Sequence, residues 1–509
     1  MYVRKPFGLP AVSGAIVLLA TLLLPGVVRA QAADPSLPGR FGRMFRLPPF
    51  APPNPAVRAA LREVGRTGGI LDAQDNLAAG PVQLIVDPAL SEVNRNNPTH
   101  TAGTTFMGQF LDHDMTLDTL STLNRPTNPN TVPNVRSPIF DLDSVYGNGP
   151  QGSPQLYETD DPAKLRVESG GLFEDLPRNP ANNVAILGDP RNDENLMIAG
   201  LHAAFLLFHN NAVDLVREED PSLSDDEAFA QARRLTTHHY QWMILHEFLP
   251  LFVGQEMVDE ILAGGRRFYN PSREPFIPVE FQMAYRIGHS MVRPSYRANL
   301  AGDNGGPFFG MIFDPAGEGS SDPVDLRGFA RAPRRFIGWQ TFFDFGDGEV
   351  RPNKRIDTKL STPLFNLPAG TIGGDPTPVS LAQRNLLRHL TWSLPSGQSI
   401  AREIGAPELS PSDLSDIGAI RASFATSTPL WFYVLREAEV TQDGLRLGPV
   451  GGRIVGEVFI GLLEEDPDSI LNAQPAFQPT LPTSTGNPED FRMIDFLTFA
   501  GVDPESRGQ

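Results

Sequence analysis

Four polar residues interrupt an apolar segment in Gly108-Gln109-Phe110-Leu111-Asp112-His113-Asp114. The flanking pattern predicts a helix from Phe106 to Leu120, with Phe106, Phe110, Leu111 and Leu117 as its core-facing stripe. Gln109 and His113 are four apart and share a face. Asp112 and Asp114 diverge by about 100° to either side of the histidine. An imidazole can take up and return a proton near neutral pH. Beside an amide and between two carboxylates, it is a candidate acid–base group, and it is equally consistent with a packed core histidine flanked by solvated acids.

Three further stretches carry chemistry of other kinds. Ser137-Pro138-Ile139-Phe140-Asp141-Leu142-Asp143 alternates polar and apolar residues. An extended loop of that pattern places Ser137, Asp141, Asp143 and the Ile139 carbonyl on one side. Such hard oxygen donors suit calcium, and Asp114 would add a further carboxylate. A solvated acidic loop satisfies the same pattern. Gly188-Asp189-Pro190-Arg191-Asn192-Asp193-Glu194-Asn195 leads into an apolar helix, with Asn192 as its expected N-cap and Asp193 and Glu194 in its first turn. Arg191 follows a proline in a tight turn, so the backbone aims its guanidinium, which suits developing negative charge. Phe281-Gln282-Met283-Ala284-Tyr285-Arg286-Ile287-Gly288-His289-Ser290 is mainly apolar. Gly288 leaves room beside His289, so the imidazole is either packed in the core or a ligand for haem iron.

The elements that must position these groups read as mostly helical. Helices are predicted near Pro55, then at 193–219, 224–252, 279–292, 380–390, 396–404, 412–425, 428–438 and 453–464. Thr101, Thr104 and Thr105 are the candidate caps of the Phe106 helix. Residues 80–104 and 121–165 read as loop, and 301–374 as mixed. Strand signals are few and short, and no internal repeat or linker divides the chain. The expected architecture is mainly α: a single large helical domain over 33–509 with long ordered loops and a proline-rich arm at about 33–60.

Composition narrows the chemistry. There is no cysteine, which excludes disulfides, zinc–thiolate centres, iron–sulfur clusters and thiolate-ligated haem. The formal charge of -18 disfavours nucleic acid and anionic lipid as partners. Arg4 and Lys5 precede an apolar run from Ala11 to Val28, followed by Ala30-Gln31-Ala32. That is the layout of a signal peptide over residues 1–32, so the expected location is secreted or periplasmic, with no membrane attachment after cleavage. His202 and His209 read as core packing. Neither His-Glu-x-x-His nor Gly-x-Ser-x-Gly occurs, which argues against a hydrolase.

Taken in order, Gln-Phe-Leu-Asp-His-Asp, the Asp-x-Asp-Ser-Val-Tyr-Gly loop, Arg-x-x-Glu and Arg-x-Gly-His resemble the animal-type haem peroxidases of the peroxidase–cyclooxygenase superfamily. The resemblance spans about residues 41–465. It implies haem b, calcium, hydrogen peroxide and a small electron donor such as a phenol, bromide, iodide or thiocyanate. His113 resembles the distal acid–base, Gln109 the distal glutamine, and Arg191 the distal arginine. His289 resembles the proximal iron ligand, and Asn385 its partner. Arg286 resembles the arginine that meets a haem propionate, and Asp112 and Glu194 the carboxylates ester-linked to haem. Asp114, Ser137, Ile139, Asp141 and Asp143 match the calcium site. Asn195 stands where a mammalian member has a haem-linked methionine, so chloride oxidation is not expected. Arg286 stands where cyclooxygenases have a radical tyrosine, which disfavours the alternative of a fatty-acid dioxygenase. The other alternative is an inactive haem- and calcium-binding extracellular protein.

Overall fold

Helix α1 (Gly103–Met115) lies at the centre of the computed structural model, which describes residues 39–91, 93–169, 173–271, 274–302, 304–369, 371 and 377–504. The expected signal peptide and the first part of the arm lie outside the described residues. Residues 33–509 form one compact unit.

The apolar stripe of α1 accounts for its place. Phe106, Phe110 and Leu111 are buried, and Phe110 stacks on Phe205 with centroids 4.3 Å apart. Burying each such side chain contributes about 1.5–3 kcal/mol. The helix ends at Met115, so Leu117 lies beyond it. Asn134 plugs that end: its Nδ2 donates to the Met115 carbonyl (2.7 Å) and its Oδ1 accepts from Leu117 N (2.7 Å). None of the expected threonine caps serves the other end, where Ala102 makes no side-chain cap and Thr105 Oγ1 donates instead to Asn353 Oδ1 (2.9 Å).

Phe205 belongs to α2 (Leu196–Glu219), which packs between α1 and α3 (Asp225–Met243). Asn195, not Asn192, caps α2, accepting from Ile198 N at 3.0 Å. This helix is long and apolar enough to cross a membrane, but most of it is buried in the core. The helix expected to run from 224 to 252 is one path in three pieces: α3, a wide π-turn at Ile244–Phe248, and a further α-helical turn at Leu249–Val253. Pro250 explains the interruption, because it has no N–H and its ring collides with the carbonyl four residues back.

The predicted helix at 279–292 is likewise segmented. It comprises α4 (Val279–Ala284), a tight 3-10 turn at Tyr285–Ile287, and the short α5 (Gly288–Met291). Behind it lie α6 (Leu381–Thr391), α7 (Leu430–Gln442) and α8 (Pro449–Glu465). α4 packs on α7 and α8, and α6 on α7, while α5 reaches across to α1. Among the described residues the strands form only two-stranded ladders. Ser295–Asn299 pairs antiparallel with Phe308–Met311, and Asn96–Thr101 with Pro352–Lys354.

Candidate active site

α1 and the Tyr285–Met291 segment face one cavity holding about 1010 Å³ of atom-free space, counting its open mouth. Gln109, Asp112 and His113 line it from α1, Glu194 and Asn195 from the turn before α2, and Arg286 and His289 from the segmented helix. Phe248, Phe252, Met291 and Leu364 supply apolar lining. Tyr285 ties the two walls together, its hydroxyl donating to the Gly108 carbonyl at 2.9 Å.

His113 is buried, and burial first, then the charge of Arg191, lowers its pKa to about 3. The ring is therefore neutral at neutral pH. Its Nδ1 meets Asn192 Oδ1 at 2.8 Å, and its Nε2 stands 3.7 Å from Glu194 Oε1. Gln109 is fixed at both ends of its carboxamide: Nε2 donates to Glu194 Oε1, and Oε1 accepts from Asn195 Nδ2 at 3.1 Å. Burial raises Glu194 to about 8, against the opposing charge of Arg191. Asp112 is raised by burial, offset by Arg191 and Arg286.

Arg191 departs from expectation. Its guanidinium does not line the cavity. Instead Nε and one NH2 grip buried Asp189 at 3.0 and 2.8 Å, and that NH2 also donates to the carbonyls of His113 (3.1 Å) and Thr116 (2.7 Å). Burial alone would raise Asp189, but the charge and hydrogen bonds of Arg191 overcome it and hold the carboxyl below its ordinary range. Arg191 is thus a clamp on the C-terminal carbonyls of α1, with its charge balanced by Asp189 and Asp112 3.8 Å away.

On the other wall, Asn385 Nδ2 lies 2.7 Å from His289 Nδ1, and Asn385 Oδ1 accepts from Arg286 NH1 at 3.1 Å. Burial, then Arg286, lowers His289 to about 3. Two observations fit a flat, anionic-edged cofactor. A Cβ at Gly288 would meet no atom within 4 Å, and Arg286 Nε is buried without a partner. Were His289 to hold a metal through Nε2, its ring proton would sit on Nδ1 and Asn385 would have to present its oxygen there, giving up the Arg286 contact.

Asp114 points away from the cavity. It accepts from Ser144 Oγ (2.9 Å), Leu142 N (3.2 Å) and Tyr240 OH (3.1 Å). Its carboxylate, with those of Asp141 and Asp143, places ligand oxygens within 4.8 Å of one another. Ser137 joins this group through its backbone N, which donates to Asp143 Oδ2 at 2.9 Å. Ile139 lies in the bend between Ser137 and Asp141.

Asp189, Asn192, Asn195 and His202 were not singled out as site residues by the sequence. The available signal was their placement around Arg191 and one helical stretch into α2.

A family model described as "Animal haem peroxidase" matches residues 119–307. Eosinophil peroxidase of Mus musculus is 29% identical over 160 residues, covering 30% of this chain and 22% of that protein. The chain thus aligns with about a fifth of that relative's length. In fold, the chain is similar to "Peroxidase A from Dictyostelium discoideum", with TM-score 0.57, 17% identity, and 84% and 88% of the two chains covered. It is also similar to a fatty acid alpha-dioxygenase of Oryza sativa, with TM-score 0.54, 17% identity, and 80% and 73% covered.

Proposed function

We propose that the chain is an animal-type haem peroxidase, exported and haem-b-dependent, that reduces hydrogen peroxide and oxidises a small donor; the family model over residues 119–307 and the eosinophil peroxidase likeness support this reading. The observation that carries this reading is one cavity lined by His113 and Gln109 from α1 and by His289 from the segmented helix. His289 would hold the iron, Arg286 would meet a propionate, and Asp112 and Glu194 would be the carboxylates for any ester links. Bound there, haem supplies the two redox equivalents that peroxide reduction and donor oxidation exchange.

The residues of the chain do the rest. His113 accepts a proton from one peroxide oxygen at Nε2 and delivers it to the other, which leaves as water. Gln109, held by Glu194 and Asn195, presents a fixed amide to the incoming oxygen. Arg191 acts through the α1 carbonyls it holds. Asp114, Asp141 and Asp143, with Ser137 and the Ile139 carbonyl, would bind calcium and so fix the turn that carries His113. The donor is a phenol, bromide, iodide or thiocyanate.

The test is the absorption spectrum of the purified full chain after haem loading, followed on adding hydrogen peroxide and then a phenol or bromide. A Soret band that shifts with peroxide and returns with donor is expected. His113→Ala should keep haem and slow the shift by about 10²–10⁴-fold. Failure to bind haem, or an unchanged rate in that variant, would overturn the proposal. The likeness in fold to a fatty acid alpha-dioxygenase supports a second reading, and oxygen uptake with an unsaturated fatty acid and no peroxide would favour it.

A further inference from the structure

A base can take a proton only through a free lone pair, so a neutral histidine must keep its own proton on the other nitrogen. In this site the far nitrogen of His113 is not left to chance. Asn192, fully buried, places Oδ1 2.8 Å from His113 Nδ1. Its other end, Nδ2, lies 2.9 Å from Nδ1 of buried His202 on α2.

We infer that Asn192, backed by His202, is a positioning residue that keeps the His113 proton on Nδ1 and turns the Nε2 lone pair into the cavity. The use made of that lone pair rests on the peroxidase reading of the same cavity. The chain of donors runs one way: His113 Nδ1–H donates to Asn192 Oδ1, and Asn192 Nδ2 donates to His202 Nδ1. In that orientation His202 Nδ1 is the acceptor for the far end of the amide.

Reversing the amide would put the His113 proton on Nε2. Among the described residues no hydrogen bond holds Nε2: Glu194 Oε1 stands 3.7 Å away, beyond hydrogen-bond reach, and already accepts from Gln109. The turn that carries Asn192 is also pinned on both sides. Asp189 grips Arg191, and Asp193 is held by buried Arg178 at 2.7 and 2.9 Å. An amide on such a rigid turn keeps its aim.

The test reads the tautomer directly, by nitrogen-15 NMR of histidine-labelled full chain loaded with diamagnetic zinc protoporphyrin. A His113→Gln sample assigns the His113 ring. In the wild type the proton is expected on Nδ1. Asn192→Asp, which can only accept, should keep it there and shift the His202 proton to Nδ1. Asn192→Leu should move the His113 proton toward Nε2, and His202→Leu should give a mixture that His202→Gln corrects by restoring an acceptor.

In haem-loaded chains, Asn192→Leu should slow the peroxide-driven Soret shift by about two orders of magnitude, the share that general acid–base catalysis commonly contributes. A wild-type His113 protonated on Nε2, or a tautomer indifferent to Asn192→Leu, overturns the inference even if peroxide reacts normally. If Asn192→Leu does not fold, the Asp and His202 variants decide the matter. The expected tautomers in a chain whose haem ignores peroxide would instead overturn the peroxidase reading and leave the hydrogen-bond assignment standing.

Discussion

Calcium should stabilise this chain, and by more in alkaline solution than in acid. Asp114, Asp141 and Asp143 crowd their oxygens within 4.8 Å. Burial, then the charge of Asp141, lifts Asp114 from its ordinary 3.8 to about 7. Burial also lifts Asp143 well above its ordinary value, against the pull of Arg136. Asp114 is fully buried, and its shift alone corresponds to about 4 kcal/mol of unfavourable ionisation at neutral pH. The sign follows from proton binding. Between pH 3.8 and about 7 the folded chain holds more protons at Asp114 than the unfolded chain does. Without a cation, stability therefore falls as pH rises through that window and stays low above it.

A bound calcium ion reverses this, because its ligands must be ionised and protons compete with it. At a concentration one hundredfold above Kd it adds about 2.7 kcal/mol to the folded state. With an unfolding entropy near 2.1 cal/mol/K per residue, a domain of this size gains about 1 °C per kcal/mol, so Tm should rise by about 3 °C. The assay is calorimetry on chelator-treated full chain with and without calcium chloride at pH 8 and pH 5. A shift that is absent at pH 8, equally large at pH 5, or retained in Asp114→Asn would refute the reasoning.

Two further outcomes follow from the site. Asp189→Asn removes the buried partner of Arg191 and should destabilise the chain by about 1–3 kcal/mol in denaturant unfolding, because a half-buried guanidinium loses its strongest partner; no measurable change would show that the α1 carbonyls and Asp112 alone satisfy Arg191. Gly288→Phe starts from a position where a Cβ meets no atom within 4 Å, so the chain should still fold while haem uptake in a Soret titration is abolished; normal uptake would place the cofactor elsewhere.

What could be read in the sequence, and what could not, divides along a physical line. The divergence of Asp112, His113 and Asp114 was legible, because helical periodicity fixes the direction of consecutive residues. In the structure Asp112 and His113 face the cavity and Asp114 faces the acidic loop. The helix Gln255–Gly264 was missed, although Met257, Val258 and Ile261 are spaced for one and glycines at 254 and 265 bracket it. The strand Asn96–Thr101 carries no alternation of apolar residues and left no signal.

The partners were harder to read than the elements. Periodicity says which way a side chain points, not what it meets when the contact closes a loop of some eighty residues, as His113 and Asn192 do. Arg191 shows the consequence. Its turn was expected to aim a positive charge at the reacting oxygen, and the turn does aim it. The target is the buried C-terminal end of the α1 backbone, whose carbonyls lack helical partners and must be satisfied by something. A half-buried guanidinium with a buried carboxylate beside it meets that need and stays neutral as a pair. An arginine at such a position therefore orders the histidine helix first, and its electrostatic effect on the cavity is what Asp189 leaves over.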